Sequence, residues 1–239
     1  MVKIAGSKKL KRQMAPLFWG ITRKEKRFVV TVKPGTHGKN VSIPISVFLR
    51  DTLKIVTSLR EAKSVIYSGK IKVDGVVRKS LHHGVGLMDV VELEGITDVY
   101  RLVPNNGRIL QPIKIDAAEK SKKLVKVKTK TTIKGGKTQL GFNDGRTIIT
   151  DMDVNTDDTC ILQIPEQKIL DVIKFEKNSQ VIVTRGINAG RIGLINEIKE
   201  GTFTLPKRIN LLIDDKTIEI PANITMAVGK EKSVIQIKW

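Results

Sequence analysis

The chain has 239 residues and carries 43 Lys and Arg against 24 Asp and Glu, a formal net charge of +19 with a pI near 10.0. Such an excess repels itself on compaction, and a polyanionic partner removes the repulsion while releasing counterions. No run of about eighteen apolar residues, no secretory signal core and no basic amphipathic helix is evident, which sets a membrane aside and leaves nucleic acid as the partner class. The length gives room for two or three small domains, and a hydrophobic content of 40% allows them cores. Aromatics, at 4%, are too few for a surface that reads RNA mainly by stacking. The one cysteine, Cys160, excludes an internal disulfide, fits a reducing cytoplasm and, beside Ile161, Leu162 and Ile164, reads as a core residue.

Residues 1–27 hold Lys3, Lys8, Lys9, Lys11, Arg12, Arg23, Lys24, Lys26 and Arg27 with one acid, Glu25, and no sustained period. They read as an arm that orders on RNA, with its charges on phosphates and Trp19 in a groove or against the first domain. Its removal is expected to leave the stability of the isolated protein nearly unchanged. Residues 42–60 read as a helix with Pro44 near its start and Ile45, Phe48, Leu49, Leu53 and Val56 on one face. Ser58 and Glu61 spell a capping box for a second helix, striped by Ala62, Val65 and Ile66 and ended by Gly69. A hairpin follows, turning at Asp74-Gly75, and then a strand over 89–93.

The middle, about 95–175, reads as mostly β, with runs at 99–103, 109–115, 124–132, 146–150 and 159–164 and turns at Asn106-Gly107, Gly135-Gly136 and Asp144-Gly145. One short helix fits 117–123. Eight lysines and no acid lie between 120 and 137, more than a guarded strand edge needs, so Lys126, Lys128 and Lys130 are assigned to RNA contact. Residues 176–239 read as short strands near 181–183, 194–195, 203–205, 211–213, 218–220 and 234–237, with bends at Gly186, Gly190 and Gly193, which suits a small closed barrel. Those glycines serve the bends, the approach of RNA, or both.

Catalytic signatures are missing. The glycines at 186, 190 and 193 fit neither a dinucleotide fingerprint nor a Walker loop. His82-His83 has no further ligand at metal spacing, and Asp151, Asp153, Asp157 and Asp158 lack the glycine and glutamate of a calcium loop. No catalytic residue, metal or cofactor is assigned.

The opening Gly6-Ser7-Lys8-Lys9-Leu10-Lys11-Arg12, then Ala15-Pro16 and Trp19, the helix pair with Phe48-Leu49-Arg50, the run from Lys70 to Arg78, Leu87-Met88-Asp89-Val90 and Ala189-Gly190-Arg191-Ile192-Gly193 together resemble the archaeal/eukaryotic small-subunit ribosomal protein S-four-e family, essentially end to end. Ending at Trp239 without a longer basic tail, the chain looks archaeal. The resemblance implies an α+β multidomain chain: a basic N-terminal arm (1–41), an alpha-L RNA-binding domain (42–94), a central β-rich domain (95–175) and a KOW-type small barrel (176–239). It implies a cytoplasmic, non-catalytic constituent of the small subunit, with small-subunit rRNA and neighbouring ribosomal proteins as partners and no small-molecule substrate. The implied RNA contacts fall on the arm, on Arg50, Lys54, Arg60, Lys63, Lys70, Lys72, Arg78 and Lys79, and on Arg185 and Arg191. The rival readings are an RNA-modifying enzyme of the pseudouridine-synthase type, which needs a catalytic domain too large for the lysine-rich middle, and a KOW-bearing transcription-elongation factor, which leaves the arm and alpha-L domain unexplained.

Overall fold

In the computed structural model, which describes residues 10–105, 107–213, 216–230 and 233–237, antiparallel strands outweigh helix. Strand β1 (Leu10–Lys11) pairs with β2 (Phe28–Val29) and closes the start of the chain into a loop. Inside it, 3₁₀ turns at Arg12–Met14 and Leu17–Trp19 bury Trp19 to 1% exposure. The Trp19 Nε1 donates to the Ser42 carbonyl at 2.9 Å. Leu10, Ala15 and Trp19 share one apolar cluster with Phe48, Leu49 and Ile66. The segment from Leu10 onward is therefore part of a core, and the expectation that the arm is independent of stability is corrected. Turns carry no 3.6 or 2.0 period, so the apolar pattern does not reveal this folding.

After β3 (Ile43–Pro44) come the single helical turn α1 (Ile45–Val47) and a π turn at Phe48–Thr52, in which the Leu53 amide donates to the Phe48 carbonyl at 2.9 Å. Lys54 then takes a left-handed φ of 56°. The helix expected over 42–60 is thus confined to its middle: strand pairing takes its first residues, and the left-handed residue ends it. The second helix, α2 (Leu59–Tyr67), begins at the Ser58–Glu61 capping box and buries Ala62 and Ile66.

The hairpin of β4 (Ile71–Val73) and β5 (Val76–Val77) turns with positive φ at both Asp74 and Gly75, a type I′ geometry. Strand β6 (Gly84–Val85) pairs with β3. Strands β7 (Val90–Leu93), β8 (Val99–Asn105) and β9 (Arg108–Ile115) complete a sheet of order β5-β4-β7-β8-β9. The division expected between residues 94 and 95 falls inside this sheet, where Val91 faces Tyr100.

The next sheet has the order β12-β11-β10-β13-β14, formed by β10 (Lys122–Thr132), β11 (Thr138–Phe142), β12 (Thr147–Thr150), β13 (Thr159–Gln163) and β14 (Lys168–Ile173). The helix expected over 117–123 is only a 3₁₀ turn at Ala117–Glu119, because β10 already pairs with β13 from Lys122 onward. The last sheet has the order β18-β17-β16-β15-β19, from β15 (Gln180–Val183), β16 (Ile192–Lys199), β17 (Arg208–Ile213), β18 (Lys216–Pro221) and β19 (Thr225–Gly229). Residues 203–205 and 234–237 are not strands, and among the described residues no ladder joins β18 to β19. The expected closure is therefore not made by backbone hydrogen bonds there.

A buried ion cluster locks the first two large sheets together. The Lys123 Nζ of β10 lies 2.7 Å from the Asp74 carboxylate at the hairpin turn, 2.5 Å from that of Asp89 and 3.2 Å from that of Asp144. Arg146 pairs with Asp74 and, at 3.2 Å, with Asp144, and the His37 Nε2 lies 3.1 Å from Asp89. Lys123 and its three carboxylates are all nearly water-free. The third sheet is fixed by close backbone approach: a Cβ on Gly190 would come within 2.5 Å of the Asn105 Cα, and the Gly107 amide donates to the Ala189 carbonyl at 3.0 Å. Gly190, at φ +88°, thus seats the β15–β16 turn on the β8–β9 turn, so neither an RNA approach nor a bend alone accounts for it.

Two substitutions test this packing by urea unfolding at pH 7. Trp19→Ala is expected to cost about 3–5 kcal/mol, as for a large aromatic lost from a core; a change below about 1 kcal/mol contradicts the arm's place in the core. Lys123→Met is expected to cost about 3–5 kcal/mol by stranding buried carboxylates, and unchanged unfolding contradicts the cluster's role.

Candidate nucleic-acid interface

Charge is distributed unequally along the chain. Residues 1–79 contain nineteen Lys and Arg and only four Asp and Glu, whereas residues 80–239 contain twenty-four and twenty. All four acids of the first stretch are engaged. Glu25 pairs with Arg12, Asp51 with Arg50, and Asp74 with Lys123 and Arg146, while Glu61 caps α2. What remains is a set of exposed cations without ion pairs among the described residues: Lys11, Arg23, Lys24, Lys26, Arg27, Lys33, Lys54, Arg60, Lys63, Lys70, Lys72 and Lys79.

The fold groups part of this set. Lys11, Arg23, Lys24, Lys26 and Arg27 line one cleft beside Gln13 and Glu25. An adjoining cleft shares Lys26 and reaches Arg50, Lys54 and the Ser58 cap. A basic surface therefore runs from the β1–β2 loop onto the start of α2. Arg23 is braced against the loop, donating to the Gln13 carbonyl at 3.1 Å, and the Arg27 guanidinium sits 5.3 Å from the Phe28 ring centre. Lys63 lies 5.5 Å from the Tyr67 ring centre on α2.

Several residues assigned from sequence are not free to meet a ligand. Trp19 is buried, and Arg12, 3% exposed, spends its guanidinium on Glu25 at 3.0 Å. Lys126 is buried too: its Nζ donates to the Ala222 and Thr225 carbonyls at 2.6 and 2.9 Å and pairs with Asp157. Burial pulls its pKa below the usual lysine value despite Asp157. As RNA contacts these three are corrected: of the two places expected for Trp19 the structure shows the one against the first domain, Arg12 is spent on Glu25, and at Lys126 charge density along a strand does not show which side of the pleat faces inward. Arg50 is half-buried and bidentate to Asp51, and Arg78 is half-buried. Lys130 is exposed and 3.5 Å from Asp153, while Lys128, Arg185 and Arg191 are exposed without ion pairs among the described residues. Lys3, Lys8 and Lys9 lie outside the described residues.

Sequence reasoning missed the cations that hold the fold. Besides Lys123 and Arg146, Arg101 is fully buried and donates to Glu119 at 2.9 Å and to the Lys122 carbonyl at 3.0 Å. An arginine inside the apolar run Val99-Tyr-Arg-Leu-Val103 is the signal that could have found it, since such a group is buried only when paired.

The remaining reactive side chains are structural. Burial pushes the Cys160 thiol up to about 12, which suppresses the nucleophilic thiolate. The His82 Nδ1 lies 2.7 Å from the Thr31 carbonyl oxygen, and burial lowers the His83 pKa. Burial alone would also lower that of His37, but the charge and hydrogen bond of Asp89 outweigh it and raise the value above 6.5. Among the described residues no group of three or more His, Cys, Asp or Glu side chains is placed to hold a metal ion, and no helix is long and apolar enough to cross a membrane.

Fold and surface together define a class: a sheet-built basic scaffold, with its buried cations tying sheets together and its free ones densest on the first third of the chain. The comparisons with known proteins agree. A family profile described as Ribosomal family S4e matches residues 96–169, and one described as RS4NT (NUC023) domain matches residues 5–40. The small ribosomal subunit protein eS4 of Methanothermobacter thermautotrophicus is 40% identical over 99% of this chain and 98% of its own, and that of Korarchaeum cryptofilum is 38% identical over both whole chains. The crystal structure of the 30S ribosomal protein S4e from Thermoplasma acidophilum superposes with a TM-score of 0.69 at 30% identity, covering 80% of this chain and 97% of that one. The chain belongs to the small ribosomal subunit protein eS4 family, a structural component of the ribosome and not an enzyme.

A raised histidine pKa adds stability that is complete below its unfolded value and is lost as pH rises through the folded one. The urea midpoint is therefore expected to fall as pH climbs above about 6.5, and His37→Gln should remove that decline. A decline of equal size in the variant contradicts the assignment to His37.

Proposed function

We propose that this chain is a structural constituent of the small ribosomal subunit that holds folded small-subunit rRNA through lysine– and arginine–phosphate contacts in the cytoplasm. The observation that carries this reading is the one-sided charge. The first 79 residues combine a large cationic excess with acids that are all engaged by the protein itself. Cations of this kind position a protein on a phosphate backbone without reading base sequence. Specificity comes instead from shape, since the ion cluster and the buried Trp19 fix the spacing of the basic surface. Lys11, Arg23, Lys24, Lys26, Arg27, Lys54, Arg60, Lys63, Lys70, Lys72 and Lys79 form the principal contact set, with Lys128, Arg185 and Arg191 as outlying members.

In the same proposal, the helix pair and the Asp74-Gly75 hairpin within 42–94 act as an alpha-L-type RNA-binding unit, and 176–239, with its glycine turn between β15 and β16, acts as a KOW-type unit. Between them, residues 95–175 supply β8 and β9 to the first sheet and the whole of the second. The family membership gives no support to the enzymatic alternative.

In filter-binding titrations with small-subunit rRNA, about ten neutralised phosphates give a slope of log K against log salt of roughly −7 to −9. Lys26→Ala should flatten that slope by about 1, and Lys168→Ala should leave it unchanged. A nearly flat plot for the unaltered protein contradicts the reading.

A further inference from the structure

The β1–β2 loop, which carries part of the basic surface, also borders a largely apolar groove. It is an open depression of about 540 Å³ between the β1–β2 loop and the β8–β9 turn, and Met14, Leu17, Phe18 and Ile109 line it together with Asn40 and Arg108. Its volume falls within the range of small-ligand pockets. Met14 is 70% exposed and Leu17 83% exposed, although the turns that carry them are anchored from beneath by Trp19 and by the Arg12–Glu25 pair. An anchored turn that holds two large apolar side chains in water has a surface to offer. The polar side chains of the lining are one amide and one guanidinium, with no acid, and Arg108 has no ion pair among the described residues.

We propose that this groove receives a single unstacked nucleobase of the bound rRNA. The inference rests on the rRNA-binding reading above and names the contact that adds base-dependent affinity to it. Charge complementarity selects the occupant. The groove opens in the cation-rich part of the chain, and among the described residues its only charged lining group is positive, which suits a polyanion. A base turned out of its helix presents a flat apolar face and a polar edge. The Phe18 ring and the Met14, Leu17 and Ile109 side chains match the face, the Asn40 amide can donate to and accept from the edge, and Arg108 meets the flanking phosphate.

The test uses the full chain with small-subunit rRNA. Leu17→Ser and Phe18→Leu are each expected to weaken binding roughly five-fold or more, with the salt slope unchanged, since neither removes a charge. Leu17→Ser changes a solvated side chain, so it reports even where Phe18→Leu disturbs the core. Unchanged affinity in both variants, with the unaltered protein binding normally, overturns the inference alone; failure of the unaltered protein to bind overturns the rRNA reading beneath it. A photo-crosslinking residue at position 17, in subunits reconstituted with the full chain, should join to an rRNA nucleotide. Crosslinking to a neighbouring protein, or to nothing, also overturns the inference.

Discussion

Everything else in the molecule is arranged around the buried lysine at position 123. Its ammonium is surrounded by Asp74 from a hairpin turn, Asp89 from the loop before β7 and Asp144 from a turn in the next sheet, with Arg146 and His37 as outer partners. Taking these groups out of water carries a large desolvation cost, which only close and mutual pairing offsets. The environment separates the acids. Burial raises the Asp74 pKa despite Lys123, whereas at Asp89 burial is overcome by His37 and Lys123 and the value lies well below the ordinary one. Such a cluster is intolerant of sliding: moving one sheet by an ångström or two leaves a charge unpaired. It therefore sets the relation between the first sheet, on which the cation-bearing β1–β2 loop and α2 pack, and the second, which supports it.

The same economy of charge links fold to function. Four cations in the middle of the chain are used internally: Arg101, Lys123, Lys126 and Arg146 are buried or nearly so and paired with protein groups. Cations at the beginning are not, because the few acids there already have partners. Part of the surplus that opposes folding of the isolated chain is thus grouped along the β1–β2 loop and the start of α2, where a phosphate backbone can neutralise it. The apolar groove bordered by the same loop complements it, since phosphate contacts give strength without base preference and an inserted base supplies the preference.

Much of this organisation is legible in the residues, and the illegible parts have a common cause. The Ser58–Glu61 cap and the Asp74-Gly75 turn are local chemistry, and both appear in place. The runs that become β7, β8, β9 and β13 are short, rich in branched apolar residues and bounded by turn signals, which is enough to read them as strands. Trp19, Lys123 and Lys126 fail to show because their partners lie far away in sequence: Ser42 for the first, Asp74 for the second and Ala222 for the third. Periodicity records which face of a strand is apolar, but not that a lysine on the buried side has met three carboxylates. Strand β11 is missed for a related reason, as Thr-Gln-Leu-Gly-Phe carries only two buried apolar side chains and draws its pairing from β10.

The central claim is a division of labour among lysines, and lysine-reactivity footprinting by mass spectrometry, with and without small-subunit rRNA, tests it most directly. The account predicts that Lys123 and Lys126 resist labelling in both states. Lys11, Lys24, Lys26, Lys54, Lys70 and Lys72 should label freely in the isolated protein and become shielded by the RNA, while Lys168 and Lys199 stay reactive throughout. Ready labelling of Lys123 in the folded protein, or shielding confined to the lysines beyond residue 160, would contradict it.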